Sequence, residues 1–263
     1  SSDLSERFIN REISWLSFNH RVLQEAADPS NPLIQRMRFL GIHSNNRDEF
    51  FRVRVATVRR IAALRGKKKL LGNKTPHELI QEIQDIIVQQ QAKFEEIYQE
   101  LLQEMKQHNI HVINETQLTP EQGRFVENFY HEQIRPVLVP IMLQYTREFP
   151  YLRDKPIYFA VKLSKSSDPR KTRYALLDLA TEILPRFVVL PSVGDQKYII
   201  ILDDIVRYSL NDIFSFFDYD KAEAYTIKIT RDAELDIDDD ISKSFMEKMS
   251  LGLERRKRGQ PVR

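Results

Sequence analysis

NPLIQRMRFLGIHSNNRDEFFRVR, residues 31–54, organises the reading of this chain. Asn31 is placed to cap a helix, and Pro32 to take its first position, where a missing N–H costs nothing. Leu33, Ile34, Met37, Leu40 and Gly41 then recur at helical spacing, so one face is apolar. Ser44, Asn45 and Asn46 break the pattern, because their side chains compete for backbone hydrogen bonds and favour caps and turns. Asp48 and Glu49, two phenylalanines and alternating arginines follow. An apolar helix ending in two carboxamides beside a basic run has the chemistry of a binding site. An ordinary helix–turn–helix corner with Asn capping explains the same residues.

Upstream, residues 8–27 carry Ile9, Ile13, Leu16 and Leu23 on one helical row and Trp15, Phe18, Val22 and Ala26 on the next. That predicts a wide apolar face and a largely buried helix, ended by Pro29. Downstream, Phe51, Val55, Val58 and Ala62 keep helical spacing up to Gly66, which favours helix over the period-two strand that FRVRV would also fit. Arg52, Arg54, Arg59, Arg60, Arg65, Lys67, Lys68 and Lys69 have no acid among them. Such a run is either a solvated face or a phosphate-attracting patch. Residues 66–74, GKKKLLGNK, suggest a mobile basic loop. Thr75, Pro76 and Glu78 then open a helix with a cap, a first-position proline and an acid three residues on. Its apolar stripe, Leu79 to Met105, predicts a helix of about 45 Å at 1.5 Å per residue, packed on the first two.

The pattern changes at His108 and Asn109. A short strand is expected at 110–113, and a helix from a Thr119 cap to about 133. Short β-rich runs follow at 137–142, 157–163, 174–179, 187–190 and 198–202, with a hairpin-like loop at 164–169. A helix at 203–217, a strand at 225–230 and a helix at 240–258 complete the expectation. The last five residues resemble the approach to a further strand. The fold class is α+β: an all-helical N-terminal domain of long packed helices, residues 1–108, then an α+β head domain, residues 109–263, incomplete at its C-terminus.

Composition narrows the chemistry. A net charge of +2 gives no global pull toward nucleic acid or membrane, so any basic site must be local. Without cysteine, this sequence carries no disulfide, thiolate metal site or cysteine nucleophile. No apolar run approaches the roughly 20 residues of a membrane span, and residues 1–14 lack the apolar core of a signal peptide. A cytoplasmic protein is expected, with peripheral membrane association still open. Neither common glycine-rich phosphate loop occurs. The six histidines form no HExxH, and His108 with His111 is a weak metal signal. Asp203, Asp204 and the acids at 238–240 need no role beyond caps or solvated acids. Spacing and composition alone reveal no reaction.

Resemblance adds one. SWLSFNHRVLQEA (14–26), NPLIQRMRFLGI (31–42) and SNNRDEF (44–50) closely resemble the N-terminal domain of bacterial polyphosphate kinases, the ATP:polyphosphate phosphotransferases. RYALLDL (173–179), PRFVVLP (185–191), LDDIVRYSLNDIF (202–214), FFDYD (216–220) and TRDAEL (230–235) resemble that family's head domain, in the same order. The resemblance implies an enzyme that reversibly moves the terminal phosphate of ATP onto polyphosphate, through a phosphohistidine and with Mg²⁺. It also implies that the phosphorylated histidine and the Mg²⁺ ligands lie in C-terminal catalytic domains outside this sequence. No catalytic or metal residue is therefore expected here, and this portion alone is expected to be inactive. The second asparagine of the SNN motif, Asn46, is the implied ATP contact; Asn45, Asp48 and Arg52 are candidates for supporting that pocket. The partners implied are ATP or ADP, polyphosphate and a further copy of the protein, as a dimer or higher oligomer. The alternatives are a non-catalytic dimerisation or interaction module, and an RNA-binding protein using residues 52–69. The sheet segments show no RNP-type aromatic motif, and no specific nucleic acid is expected.

Overall fold

Asn10 starts the first helix: its side chain accepts a hydrogen bond from Glu12 N at 2.9 Å. This is seen in the computed structural model of the chain, which describes residues 9–65, 74–146, 148–154, 156–231 and 262. Helix α1 (Arg11–Ala27) buries Glu12, Leu16, Asn19, Leu23 and Ala26, one stripe at spacings of three and four. The face is narrower than the apolar pattern predicts. Phe18 is 57% exposed, because it lies about 200° round the helix from Leu16 at 100° per residue. Trp15 stacks on Phe50, ring centroids 4.5 Å apart.

Helix α2 (Leu33–Phe50) corrects two expectations. Asn31 does not cap it: its amide turns back to the Glu25 carbonyl at 3.0 Å and the Glu25 carboxylate at 3.1 Å, and Pro32 holds the cap position. Nor does the helix break at Ser44, Asn45 and Asn46. It runs through them into a π-helical turn, Phe51–Val55, and on into α3 (Ala56–Arg65). The buried series Arg36, Leu40, His43, Arg47 and Phe50 crosses the asparagine pair at helical spacing. Tertiary packing along that series outweighs the weak turn preference of Ser and Asn. Arg54, on the π turn, reaches the buried Glu12 carboxylate at 3.8 Å.

Helix α4 (Pro76–Gln107) opens with the expected reciprocal cap. Glu78 N donates to Thr75 Oγ1 and Thr75 N to the Glu78 carboxylate. Near its start Leu79 and Ile83 pack with Leu16, Phe50, Val55, Val58 and Val262. Further along, Ile97 and Leu101 pack with Leu23, Ala26 and Leu40. The chain divides into two compact units, Ser1–Glu104 with Thr230–Arg263, and Met105–Ile229.

The second unit begins where α4 ends. Asn109 takes a left-handed backbone, φ 58°, a conformation Asn tolerates better than most residues. Strand β1 (Ile110–Ile113) follows; α5 (Pro120–Phe129) carries the Thr119–Gln122 capping box and passes into a π-helical turn, Tyr130–Ile134. The remaining strands are β2 (Pro140–Met142), β3 (Ile157–Ser164), β4 (Arg173–Asp178), β5 (Phe187–Val193), β6 (Gln196–Ile201) and β7 (Lys221–Lys228). One sheet has the order β1-β6-β5, with β1 parallel to β6; the other is antiparallel, β2-β4-β3-β7. Val126, Ile134, Phe159, Leu177, Ile200, Ile205 and Phe214 share one core. The helix expected at 203–217 is two short ones, α6 (Leu202–Tyr208) and α7 (Leu210–Ile213). They part at Ser209, whose hydroxyl donates back to Ile205 O at 3.0 Å. β7 sits earlier than expected because it pairs residue for residue with all of β3. The expectations for 66–73, the helix at 240–258 and the closing strand lie outside the described residues.

Asp203 and Asp204 are buried rather than solvated. Arg186 grips Asp203 with both terminal nitrogens, and Arg207 holds Asp204 at 2.7 Å while lying over the Phe159 ring. Burial, then the Glu115 charge, push the Asp204 carboxyl up to about 6. Ala180, in the turn after β4, has φ 49°. A left-handed L-residue costs about 1–2 kcal/mol, partly offset on changing to glycine by about 0.5–1 kcal/mol of chain entropy. Ala180→Gly is therefore expected to stabilise the protein by about 0.5–1 kcal/mol, raising Tm by about 2 °C in a thermal scan. An unchanged or lower Tm overturns this.

Candidate functional site

The four residues singled out from the sequence stand on one continuous helix but not on one face. Successive residues turn by about 100°, so Asn45, Asp48 and Arg52 share a side while Asn46 lies a quarter-turn or more away, at the rim of the buried stripe. Asn45 is exposed; Asn46, Asp48 and Arg52 are half-buried. What Asn46 meets is α1. Its Nδ2 donates to Asn19 Oδ1 at 3.1 Å, and Asn19 Nδ2 donates to the His43 backbone carbonyl at 3.2 Å. The backbone acceptor fixes which end of the Asn19 carboxamide is the amide. That in turn fixes Asn46, whose Oδ1 accepts no hydrogen bond among the described residues. Asn46 thus offers one oriented acceptor and a spare amide proton at a half-buried rim.

Beneath the rim is a polar seam. His43 is fully buried, its ring 5.8 Å from Phe94 and both ring nitrogens without a hydrogen-bond partner among the described residues. Burial, then the Arg47 charge, push its pKa down to about 4; the Gln90 side chain offsets part of this and His20 adds to it. Arg47 is itself 6% exposed and hydrogen-bonds Gln91 of α4. Gln90 Nε2 donates to Leu16 O at 3.0 Å. Asn19, His43, Arg47 and Gln90 were not singled out from the sequence. Their signal was there: polar residues three or four places from apolar ones on a buried stripe, as in Glu12, Leu16, Asn19, Leu23. The π turn begins directly after this seam, and such turns are frequent at functional sites.

The rest of the chemistry is quieter. Among the described residues no three His, Cys, Asp or Glu side chains are grouped to hold a metal ion. His111 stacks on Tyr198 across β1 and β6, centroids 5.0 Å apart. Among the described residues no helix is long and apolar enough to cross a membrane.

Residues 8–113 match the family model of the polyphosphate kinase N-terminal domain, and residues 121–263 that of the polyphosphate kinase middle domain. The polyphosphate kinase of Vibrio cholerae serotype O1 is 43% identical over 260 residues, 97% of this chain and 36% of that protein. That of Escherichia coli strain K12 is 42% identical over 260 residues, 97% of this chain and 37% of its own length. A crystal structure of polyphosphate kinase from Porphyromonas gingivalis matches with a TM-score of 0.75 at 32% identity, covering 88% of this chain and 34% of that one. The chain thus spans a little over a third of the length of these curated relatives. With two domain models matched in order along nearly its whole length, and a solved relative sharing its fold, the chain belongs to the polyphosphate kinase family.

Proposed function

We propose that this chain is the N-terminal and head portion of an enzyme that reversibly transfers the terminal phosphate of ATP to inorganic polyphosphate, through a phosphohistidine carried outside these residues. Its own share is a wall of the ATP pocket at Asn46. The observation that carries this is the pre-oriented Asn46 carboxamide, held by Asn19 and offering an acceptor and a donor to an adenine edge or ribose. Asn45, Asp48 and Arg52 are assigned to positioning this stretch. The helical domain is taken as 1–108 and the head as 109–263; the end of α4 at Gln107 and the left-handed Asn109 support the break between them, while Val262 packs in the helical unit. Mg²⁺ enters with the nucleotide phosphates; the described residues do not fit a site for it, and no step is assigned to it on this chain. Contacts between copies through the head are supported by Phe187 and Val189, 65% and 67% exposed on the edge strand β5. In this reading the protein is cytoplasmic.

In the full-length enzyme, Asn46→Ala is expected to raise KM for ATP about tenfold with kcat little changed, the signature of one lost hydrogen bond of about 1–1.5 kcal/mol. Asn19→Ala, which removes only the anchor, is expected to give a smaller rise in the same direction. Steady-state kinetics check both; an unchanged KM in Asn46→Ala removes the residue from the pocket.

A further inference from the structure

On the side of α1 opposite Asn19, a groove of about 460 Å³ opens against α4. That volume lies within the roughly 300–1,000 Å³ of small-molecule sites. Its walls include His20, Arg21 and Gln24 from α1, and Ile86, Gln89 and Gln90 from α4. One of these residues carries a buried polar atom with no hydrogen-bond partner among the described residues, His20 Nδ1, while the Gln90 side chain also bears on His43. Gln90 is 6% exposed and is anchored at its other end by the Nε2 bond to Leu16 O. Arg21 is exposed and makes no ion pair among the described residues. Buried polar groups left unpaired call for a water or a ligand.

The composition of the walls selects the ligand. Two exposed carboxamides, Gln24 and Gln89, each with a donor and an acceptor, suit a neutral heterocycle with amide-like edges. Ile86 supplies an apolar surface for such a ring. One guanidinium beside an imidazole suits a single phosphate group. No acid lines the groove, so an anion meets no repulsion there. A chain of many phosphates would find only one fixed cation, and a bare oxyanion would leave the carboxamides without a complementary edge.

We propose that the α1–α4 groove is a mononucleotide-binding site, with the base between Ile86 and the glutamines and the phosphate at Arg21 and His20. The site does not depend on Asn46, which stands on α2. The test is calorimetric titration of the full 263-residue chain, as wild type and as Asn46→Ala, with adenosine monophosphate, adenosine, ribose 5-phosphate and tripolyphosphate. Adenosine monophosphate is expected to bind both proteins equally, at least tenfold tighter than the other three probes. Arg21→Glu, on the exposed rim, is expected to weaken it at least tenfold, and the exposed pair Gln24→Ala/Gln89→Ala to weaken it several-fold. These variants leave the buried Gln90 in place, so folding is not at stake. Absence of saturable binding overturns the proposal, as does binding unaffected by Arg21→Glu. Tripolyphosphate or ribose 5-phosphate binding as tightly as the mononucleotide overturns the base assignment.

Discussion

Acidifying the 263-residue chain from about pH 6.5 to about pH 4 is expected to remove about 3 kcal/mol of stability from the helical unit through His43 alone. The ring is fully buried, and burial together with the Arg47 charge holds its folded pKa at about 4, against 6.5 when free. Between those two values the unfolded chain binds a proton that the folded chain refuses. The unfolded state therefore gains as pH falls. The contribution is fully present above about pH 6.5 and is lost progressively down to about pH 4, where the folded ring protonates too. The groups facing His43 are Arg47 on its own helix, His20 on α1, and Gln90 and Phe94 on α4. Asp204, in the other unit, works with the opposite sign. Its folded pKa of about 6 lies above the free value of 3.8, so between the two the folded state binds more protons and gains on acidification. The measurement must therefore report on the helical unit. Trp15 is the only tryptophan of the sequence and stacks on Phe50 in that unit. Urea unfolding followed by its fluorescence should show the midpoint falling from pH 6.5 to 4. His43→Leu should flatten that fall, and an equal fall in the variant assigns the effect elsewhere.

His43 also shows where the sequence was legible and where it was not. Caps were readable because they are local: Thr75 with Glu78 and Thr119 with Gln122 bond within four residues, and both boxes formed. The long stripe of α4 was readable because one residue in three or four is apolar over nine turns. The strands at 110–113, 157–163 and 174–179 stood out by β-branched and aromatic runs between turn residues. The asparagine pair misled, because its turn preference is local while the packing that keeps the chain helical through it comes from α1 and α4. Asn31 misled likewise: a competing carboxylate and carbonyl at Glu25 took its amide. Half of the candidate site was therefore visible. Asn46 stood out by resemblance, but its anchor Asn19 is 27 residues away, and only the fold brings the two carboxamides together. Arg47, which carried no role from sequence, is the member of the quartet Asn45 to Asp48 that the core buries most deeply.

Arg36 extends the same lesson from recognition to stability. It stands in the first turn of α2, where a cation is disfavoured by the helix dipole, yet its side chain is 6% exposed. Its Nε donates to Ala26 O at 2.9 Å, one of the last carbonyls of α1, and its Nη1 to the Glu104 carboxylate of α4 at 2.6 Å. It therefore joins three helices, and its charge sits at the favourable C-terminal end of α1. Breaking such a pair from one side costs more than removing it, because the remaining buried charge has lost its partner. Glu104 is 36% exposed, which softens the effect. Glu104→Ala is expected to destabilise the helical unit by about 2 kcal/mol, leaving the buried Arg36 guanidinium with the Ala26 carbonyl and the exposed Asp28 charge. Arg36→Met removes the charge, refills the space and exposes Glu104 to water, so about 1 kcal/mol is expected, chiefly the unpaired Ala26 carbonyl. The double variant Arg36→Met/Glu104→Ala should lie close to Arg36→Met. Urea unfolding of the four proteins at pH 7, followed at Trp15, gives the coupling directly. If Glu104→Ala costs no more than Arg36→Met, the guanidinium finds water once its partner is gone, and the apolar cluster of Leu23, Ala26, Leu40, Ile97 and Leu101 holds the three helices without the ion pair.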